Sequence, residues 1–205
     1  NFPNSLEYMY SILKILSYVL QLLPRKVTIL IGWIVGTFFY YCMPLRKSIA
    51  MLNIDFAFPD LDLRKKNRLL LSCYRHYGIV LTDFFRLPKV VKQKVNSFIN
   101  ITPDTLELLN SNIGGIIVSG HIGNWEYIGP ILGINNIKCS GVAKKQRNNK
   151  SDIFFNYLRS SKNVKIISTN AGSNVMIQAI KSGEYLGLIS DQNAGKRGTK
   201  VQFFN

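Results

Sequence analysis

The sequence predicts an α/β fold, a mixed but mostly parallel sheet flanked by helices, preceded by a helical segment associated with a membrane. Three observations lead there. Short apolar, β-branched runs alternate with helical stretches in the second half of the chain. A long uncharged apolar run lies near the start. The charge is strongly of one sign although the composition is apolar: 205 residues carry 26 Lys and Arg against 11 Asp and Glu, a net +15, with 47% hydrophobic residues. That composition excludes an intrinsically disordered basic tail and suits a protein on an anionic membrane, with a nucleic-acid binder as the second class.

In chain order, Leu6, Met9, Leu13, Leu16, Leu20 and Leu23 recur in steps of three and four over residues 5–23. This is the stripe of an amphipathic helix, ended by Pro24-Arg25-Lys26. Val27–Met43 is seventeen residues without a charge and contains Gly32 and Gly36. As a helix it reaches about 25 Å, slightly short of a hydrocarbon core of about 30 Å. Arg25-Lys26 and Arg46-Lys47 flank it on both sides, so charge bias selects no orientation. The two helices form either a buried hairpin or a membrane-embedded or deeply interfacial anchor. The anchor is preferred, because little else in the chain could cover that surface. The expected organisation is an N-terminal anchor over residues 1–47 and an α/β domain over residues 48–205. Asn1 opens the chain and Asn205 ends it without a stop signal, so a fragment is expected, with the α/β domain incomplete at its C-terminus.

Between Arg64 and Lys94 nine basic residues face one acid, Asp83, and Leu69, Leu70, Cys73, Tyr77, Val80, Leu81 and Phe84 hold helical spacing. This is expected to be a basic amphipathic helix with one face toward phosphate headgroups. Thr102-Pro103 opens a short helix as N-cap and first helical residue. Strands are expected at Gly115–Ser119, Lys138–Val142, Val164–Ser168, Tyr185–Ser190 and Val201–Phe204, with helices at Asp152–Arg159 and Ser173–Ser182. Sheets of this kind collect their chemistry just past the carboxyl ends of the strands. That directs attention to Gly120–Glu126, Ala143–Asn149 and Asp191–Gly198.

Gly120-His121-Ile122-Gly123-Asn124-Trp125-Glu126 follows the first strand directly. On one continuous helix His121 and Glu126 would fall on different faces. They meet if His121 lies on the loop and Glu126 in the first helical turn, with Gly120 and Gly123 easing the bend. A neutral imidazole can then take a proton from an alcohol while the carboxylate fixes its tautomer. No G-x-S-x-G elbow is present and Cys139 has no evident place beside the histidine, so direct attack by an acceptor hydroxyl is expected rather than a covalent acyl-enzyme. With two histidines and no H-E-x-x-H there is no metal-site pattern, and no phosphate-binding or dinucleotide glycine motif occurs. No cofactor is expected. Cys42, Cys73 and Cys139 suit reduced thiols.

Lys144, Lys145 and Arg147 follow the second strand and would line the same edge as His121, a cationic rim fitted to a phosphate-bearing substrate or an acidic carrier. The aromatics nearby, Phe154, Phe155 and Tyr157, suit a buried helix face rather than a nucleic-acid groove, so no nucleic acid is expected as partner. Asp191 and Gln192 bring a carboxylate and an amide to the same edge.

IIVSGHIGNWE, AKKQRNN with Arg159 downstream, and ISDQNAGKRGTKVQFF, in that order, resemble the lipid A biosynthesis lauroyl/myristoyl acyltransferases, within the wider H-x4-D/E glycerolipid and lysophospholipid acyltransferases. The resemblance covers nearly the whole chain. It implies a glycerolipid acyltransferase-like core at the cell inner membrane, its catalytic domain facing the cytoplasm. The implied reaction moves a fatty acyl chain from acyl carrier protein, or from acyl-CoA, to a hydroxyl of a lipid A precursor. His121 would be general base and Glu126 its partner, both catalytic. Gly123, Asn124, Lys144, Lys145, Arg147, Asn148, Arg159, Asp191 and Gln192 would contact substrate. The family commonly has Arg-Pro in its basic block where this chain has Lys144-Lys145-Gln146-Arg147. A lysine lacks the planar two-pronged contact of arginine. A lysophospholipid or phosphatidylinositol-mannoside-type acyltransferase is the alternative acceptor reading, and a non-catalytic basic membrane- or nucleic-acid-binding module the alternative of another class.

Overall fold

In the computed structural model, residues 5–92, 101–146, 148–160, 163–192 and 198 are described. The chain divides into two compact units, Asn1–Val95 with Asn148–Leu158, and Asn96–Arg147 with Arg159–Asn205. The helical stretch between residues 48 and 92, expected in the α/β domain, therefore groups with the N-terminal helices.

The first unit holds α1 (Ser5–Leu22), α2 (Arg25–Tyr41), α3 (Lys47–Ala57), α4 (Leu63–Phe85), α5 (Leu87–Lys92) and most of α8 (Asn149–Arg159). Its main packing is α2 on α4. Gly32 and Gly36, one turn apart, meet Gly78, and a Cβ on Gly32 would lie 2.6 Å from the Ile79 Cα. Small residues at that spacing let two helix backbones touch. Asp62 caps α4 by accepting from the Lys65 N–H at 2.8 Å. The basic run is less exposed than expected. Arg86 is buried and donates to Thr28 Oγ1 at 2.6 Å and to the Leu23 carbonyl at 3.1 Å. Lys89 donates to the Gln21 carbonyl at 2.6 Å. Both cations thus satisfy carbonyls left open where α1 ends, the end of a helix that favours positive charge. No helix among the described residues is long and apolar enough to cross a membrane.

The second unit is built on β1 (Gly115–Ser119), β2 (Cys139–Ala143), β3 (Val164–Ser168) and β4 (Tyr185–Ile189), preceded by α6 (Pro103–Asn110) and interleaved with α7 (Ile128–Ile134) and α9 (Ser173–Lys181). The sheet order is β1-β4-β2-β3, and every pairing is parallel. The mixed sheet expected from the sequence is, over these residues, purely parallel. The fifth strand expected at Val201–Phe204 lies outside the described residues. Thr102 caps α6 with Pro103 in its first turn, as the sequence implies. Gly183, at φ +80°, lets the chain leave α9 and enter β4. One core cluster joins Leu109, Leu132, Ile137, Cys139 and Tyr185, with Ile117 and Ile128 packed against it. At the strands' amino ends the buried Glu184 takes a hydrogen bond from Ser140 Oγ at 2.6 Å and an ion pair from Lys165.

Candidate active site

β1 and β4 are neighbours and end level, Ser119 opposite Ile189. The Ser190 N–H continues the ladder to the Ser119 carbonyl at 3.0 Å. Two residues on, the same register brings His121 level with Asp191. One carboxylate oxygen of Asp191 accepts the His121 backbone N–H at 2.7 Å, and the other lies 2.7 Å from ring Nδ1. Gly120 makes this clasp possible, since a Cβ there would stand 3.0 Å from Asp191 Oδ2. The ring and backbone bonds from His121, in that order, hold the Asp191 carboxyl below its ordinary range. With Nδ1–H donated to Asp191, the lone pair sits on Nε2, which has Gln192 Nε2 at 3.4 Å. The Trp125 ring stands edge-on to the imidazole, centroids 4.5 Å apart.

The expected pairing of Glu126 with His121 is not the one found. Glu126 lies on a 3₁₀ turn, Trp125–Tyr127, reached through Gly123 at φ +60°. Its two oxygens accept from Arg159 Nε at 2.9 Å and Nη2 at 2.7 Å. The physical reason is competition. The Nδ1 site is already filled by a carboxylate delivered in register from β4, while an arginine fork matches both oxygens of Glu126.

His121, Trp125, Glu126, Lys144, Gln146, Arg159 and Gln192 share the lining of a cavity of about 420 Å³, which continues inward over Ile128, Gly141, Ile166 and Gly187. Lys145 is exposed and Gly123 serves the turn, and neither lines the cavity. Asn148 Oδ1 accepts from the Lys150 and Ser151 N–H groups at 2.9 and 3.1 Å, so its side chain caps α8 rather than standing free for substrate. Both polar side-chain atoms of Asn124 are buried without a hydrogen-bond partner. Arg147 lies outside the described residues. Sequence reading missed Trp125, Gln146 and Thr169 as lining residues, and it missed the pairing of His121 with Asp191. Only the order of the strands, which no local pattern carries, could have supplied that pairing.

The thiol of Cys139, at the inner end of the cavity, is pushed up to about 11 by burial and by the Glu184 charge. A thiol so protonated is a poor nucleophile at neutral pH. The arrangement can therefore accept a proton at Nε2 next to an apolar recess, with cations at its mouth.

The family model for bacterial lipid A biosynthesis acyltransferase matches residues 4–205. No curated protein matches the chain.

Proposed function

Since the chain belongs to the bacterial lipid A biosynthesis acyltransferase family and is accordingly an acyltransferase, we propose that it carries a fatty acyl chain from a thioester donor to a hydroxyl of a lipid A precursor, with His121 as general base. The observation that carries this reading is the Asp191 clasp, which leaves Nε2 of His121 basic and facing an apolar cavity. The acceptor hydroxyl gives its proton to Nε2 as its oxygen attacks the thioester carbonyl. The tetrahedral oxyanion forms at a mouth carrying Lys144 and the amides of Gln146 and Gln192, donors suited to it. Collapse breaks the C–S bond, and the imidazolium returns the proton to the leaving thiolate. Asp191 stabilises the imidazolium in between. No covalent acyl-enzyme is needed, and the protonated Cys139 supports its omission. Glu126 acts through Arg159, holding that guanidinium at the rim as a positioning residue.

The donor is acyl carrier protein or coenzyme A thioester; the exposed Lys144 and Lys145 suit the phosphopantetheine and acidic surface common to such donors. The site of action is the cytoplasmic face of the inner membrane. In the helical unit Ile12, Ile15, Leu30, Ile34, Leu52 and Phe56 are all exposed, Phe56 at 91%. Apolar area of that kind on a cationic protein suits the interface of an anionic bilayer. The test is mass spectrometry of lipid A from a host lacking its own late acyltransferase, complemented with the complete gene or with its His121→Ala form. An added acyl chain that depends on His121 supports the reading. Unchanged lipid A with well-expressed wild-type protein sinks the acceptor, and retained transfer by His121→Ala sinks the base.

A further inference from the structure

Across one face of the sheet the register sets Ile117, Gly187, Gly141 and Ile166 side by side, one from each strand. Strand residues that pair directly point to the same face. The two central strands thus carry no side chain at the row where the two edge strands carry isoleucine. Central parallel strands are normally filled by Val, Ile and Leu, and glycine within a strand weakens it. Neither glycine has a positive φ that would demand it. Neither is crowded: a Cβ on Gly187 would come no closer than 3.9 Å to its nearest neighbours, and one on Gly141 would meet only Ile166 Cδ1 at 3.6 Å. The fold therefore gives no reason of its own for two adjacent glycines. Both line the cavity that His121 borders.

We infer that Gly141 and Gly187 form the floor of a slot for the acyl chain and that their missing side chains set how long a chain is accepted. This rests on the acyl-transfer reading for the identity of the ligand. The slot runs along the strands from the mouth at His121 and Gln192 to an inner end at Cys139 and Val164. From Cys139 to Ala143 the β2 backbone advances about 13 Å. Beyond the glycine row the buried Tyr185 and Cys139 occupy the next positions on the same face and close that end. A hydrocarbon entering tail first would place its carbonyl near Nε2 and its terminal methyl toward Cys139. Any side chain grown on the floor would shorten the usable depth.

The experiment uses the complete protein and three forms, wild type, Gly187→Ala and Gly187→Val. Each is measured for binding of dodecanoate, tetradecanoate and hexadecanoate by titration calorimetry, and for transfer from the corresponding acyl thioesters. The variants should move the preference toward shorter chains, by about fourfold for each methylene that no longer fits. Gly187→Ala meets only ordinary contacts, so it keeps the test open if the valine form does not fold. A shifted binding order supports the slot even where no thioester is turned over, a result that would count against the transfer reading alone. Transfer or binding with an unchanged chain-length order in folded variants overturns the slot and leaves the acyltransferase reading standing.

Discussion

Asp191 grips His121 at two points, the backbone nitrogen and Nδ1, each at 2.7 Å. Both bonds follow from two parallel strands ending level, so the imidazole is oriented by the sheet itself rather than by a flexible loop. Asp191→Asn keeps one acceptor and turns the other into a donor, which opposes the tautomer that leaves Nε2 basic. The expected result is a fall in kcat of roughly 10²–10⁴ with KM little changed, in line with the loss of an orienting carboxylate elsewhere. Steady-state kinetics of the folded variant decide it, and a kcat within a few-fold of wild type would remove Asp191 from the mechanism.

Glu126 and Arg159 should behave as one unit. Glu126→Gln and Arg159→Lys each break the two-pronged contact, and the double variant should be little worse than either. The coupling expected for a partly buried fork-to-carboxylate pair is about 1–2 kcal/mol in a double-mutant cycle on kcat/KM. The pH profile of kcat should keep its shape in Glu126→Gln and change in Asp191→Asn. Additive effects, or a profile that moves with Glu126, would return Glu126 to direct partnership with the imidazole.

How far the fold was readable follows from what each element depends on. Val164–Ser168 and Thr102-Pro103 are local signals, a β-branched run and a cap with proline, and both elements stand where expected. The loop after Gly115–Ser119 drew attention to His121 for a local reason as well. Its partner was not local. β4 inserts between β1 and β2, and only that order brings Asp191 to the ring. Arg86 and Lys89 counted toward a basic face for phosphate headgroups because their partners, the carbonyls at the end of α1, are 63 and 68 residues away in sequence. Asn148 is a substrate contact by resemblance alone, and the same short amide serves as a cap here.

Glu184 gives the second unit a pH dependence of defined sign. Burial raises its carboxyl, but hydrogen bonds from Lys165 and Ser140 and the charges of Lys165 and Lys138 outweigh this, and the net position lies below the ordinary 4.5. A carboxyl lowered in the folded state contributes stability above its unfolded value and loses it as pH falls through the folded value. Thermal unfolding followed from pH 7 to pH 3 should be flat above about pH 5 and then drop. Glu184→Gln should cost about 1–2 kcal/mol at pH 7, with a difference from wild type that shrinks in acid. Parallel curves for the two proteins over the whole range would contradict the assignment.

The raised thiol of Cys139 makes a chemical prediction. At pH 8 iodoacetamide should modify the exposed Cys42 readily and leave the buried Cys139 untouched until the protein unfolds. Peptide mass spectrometry of alkylated samples reads both sites at once. Rapid labelling of Cys139 in folded protein would mean that the inner end of the cavity is open and its thiol ionised, and the non-covalent mechanism would need revision.

The last prediction concerns the apolar surface of the helical unit. Phe56, Leu52 and Ile34 are exposed, Phe56 most of all, and removing one large apolar side chain from an interface forfeits about 1.5–3 kcal/mol. Phe56→Ser should therefore weaken partition of the purified protein onto phosphatidylglycerol vesicles by roughly tenfold or more. The basic residues of the unit should make the same binding weaken with salt, and an uncharged phosphatidylcholine surface should bind less well at low salt. The two dependences separate the two contributions, since the serine substitution should leave the slope against salt unchanged. Flotation assays across a salt series measure both, and full retention of binding by Phe56→Ser together with Ile34→Ser would show that this face does not meet lipid.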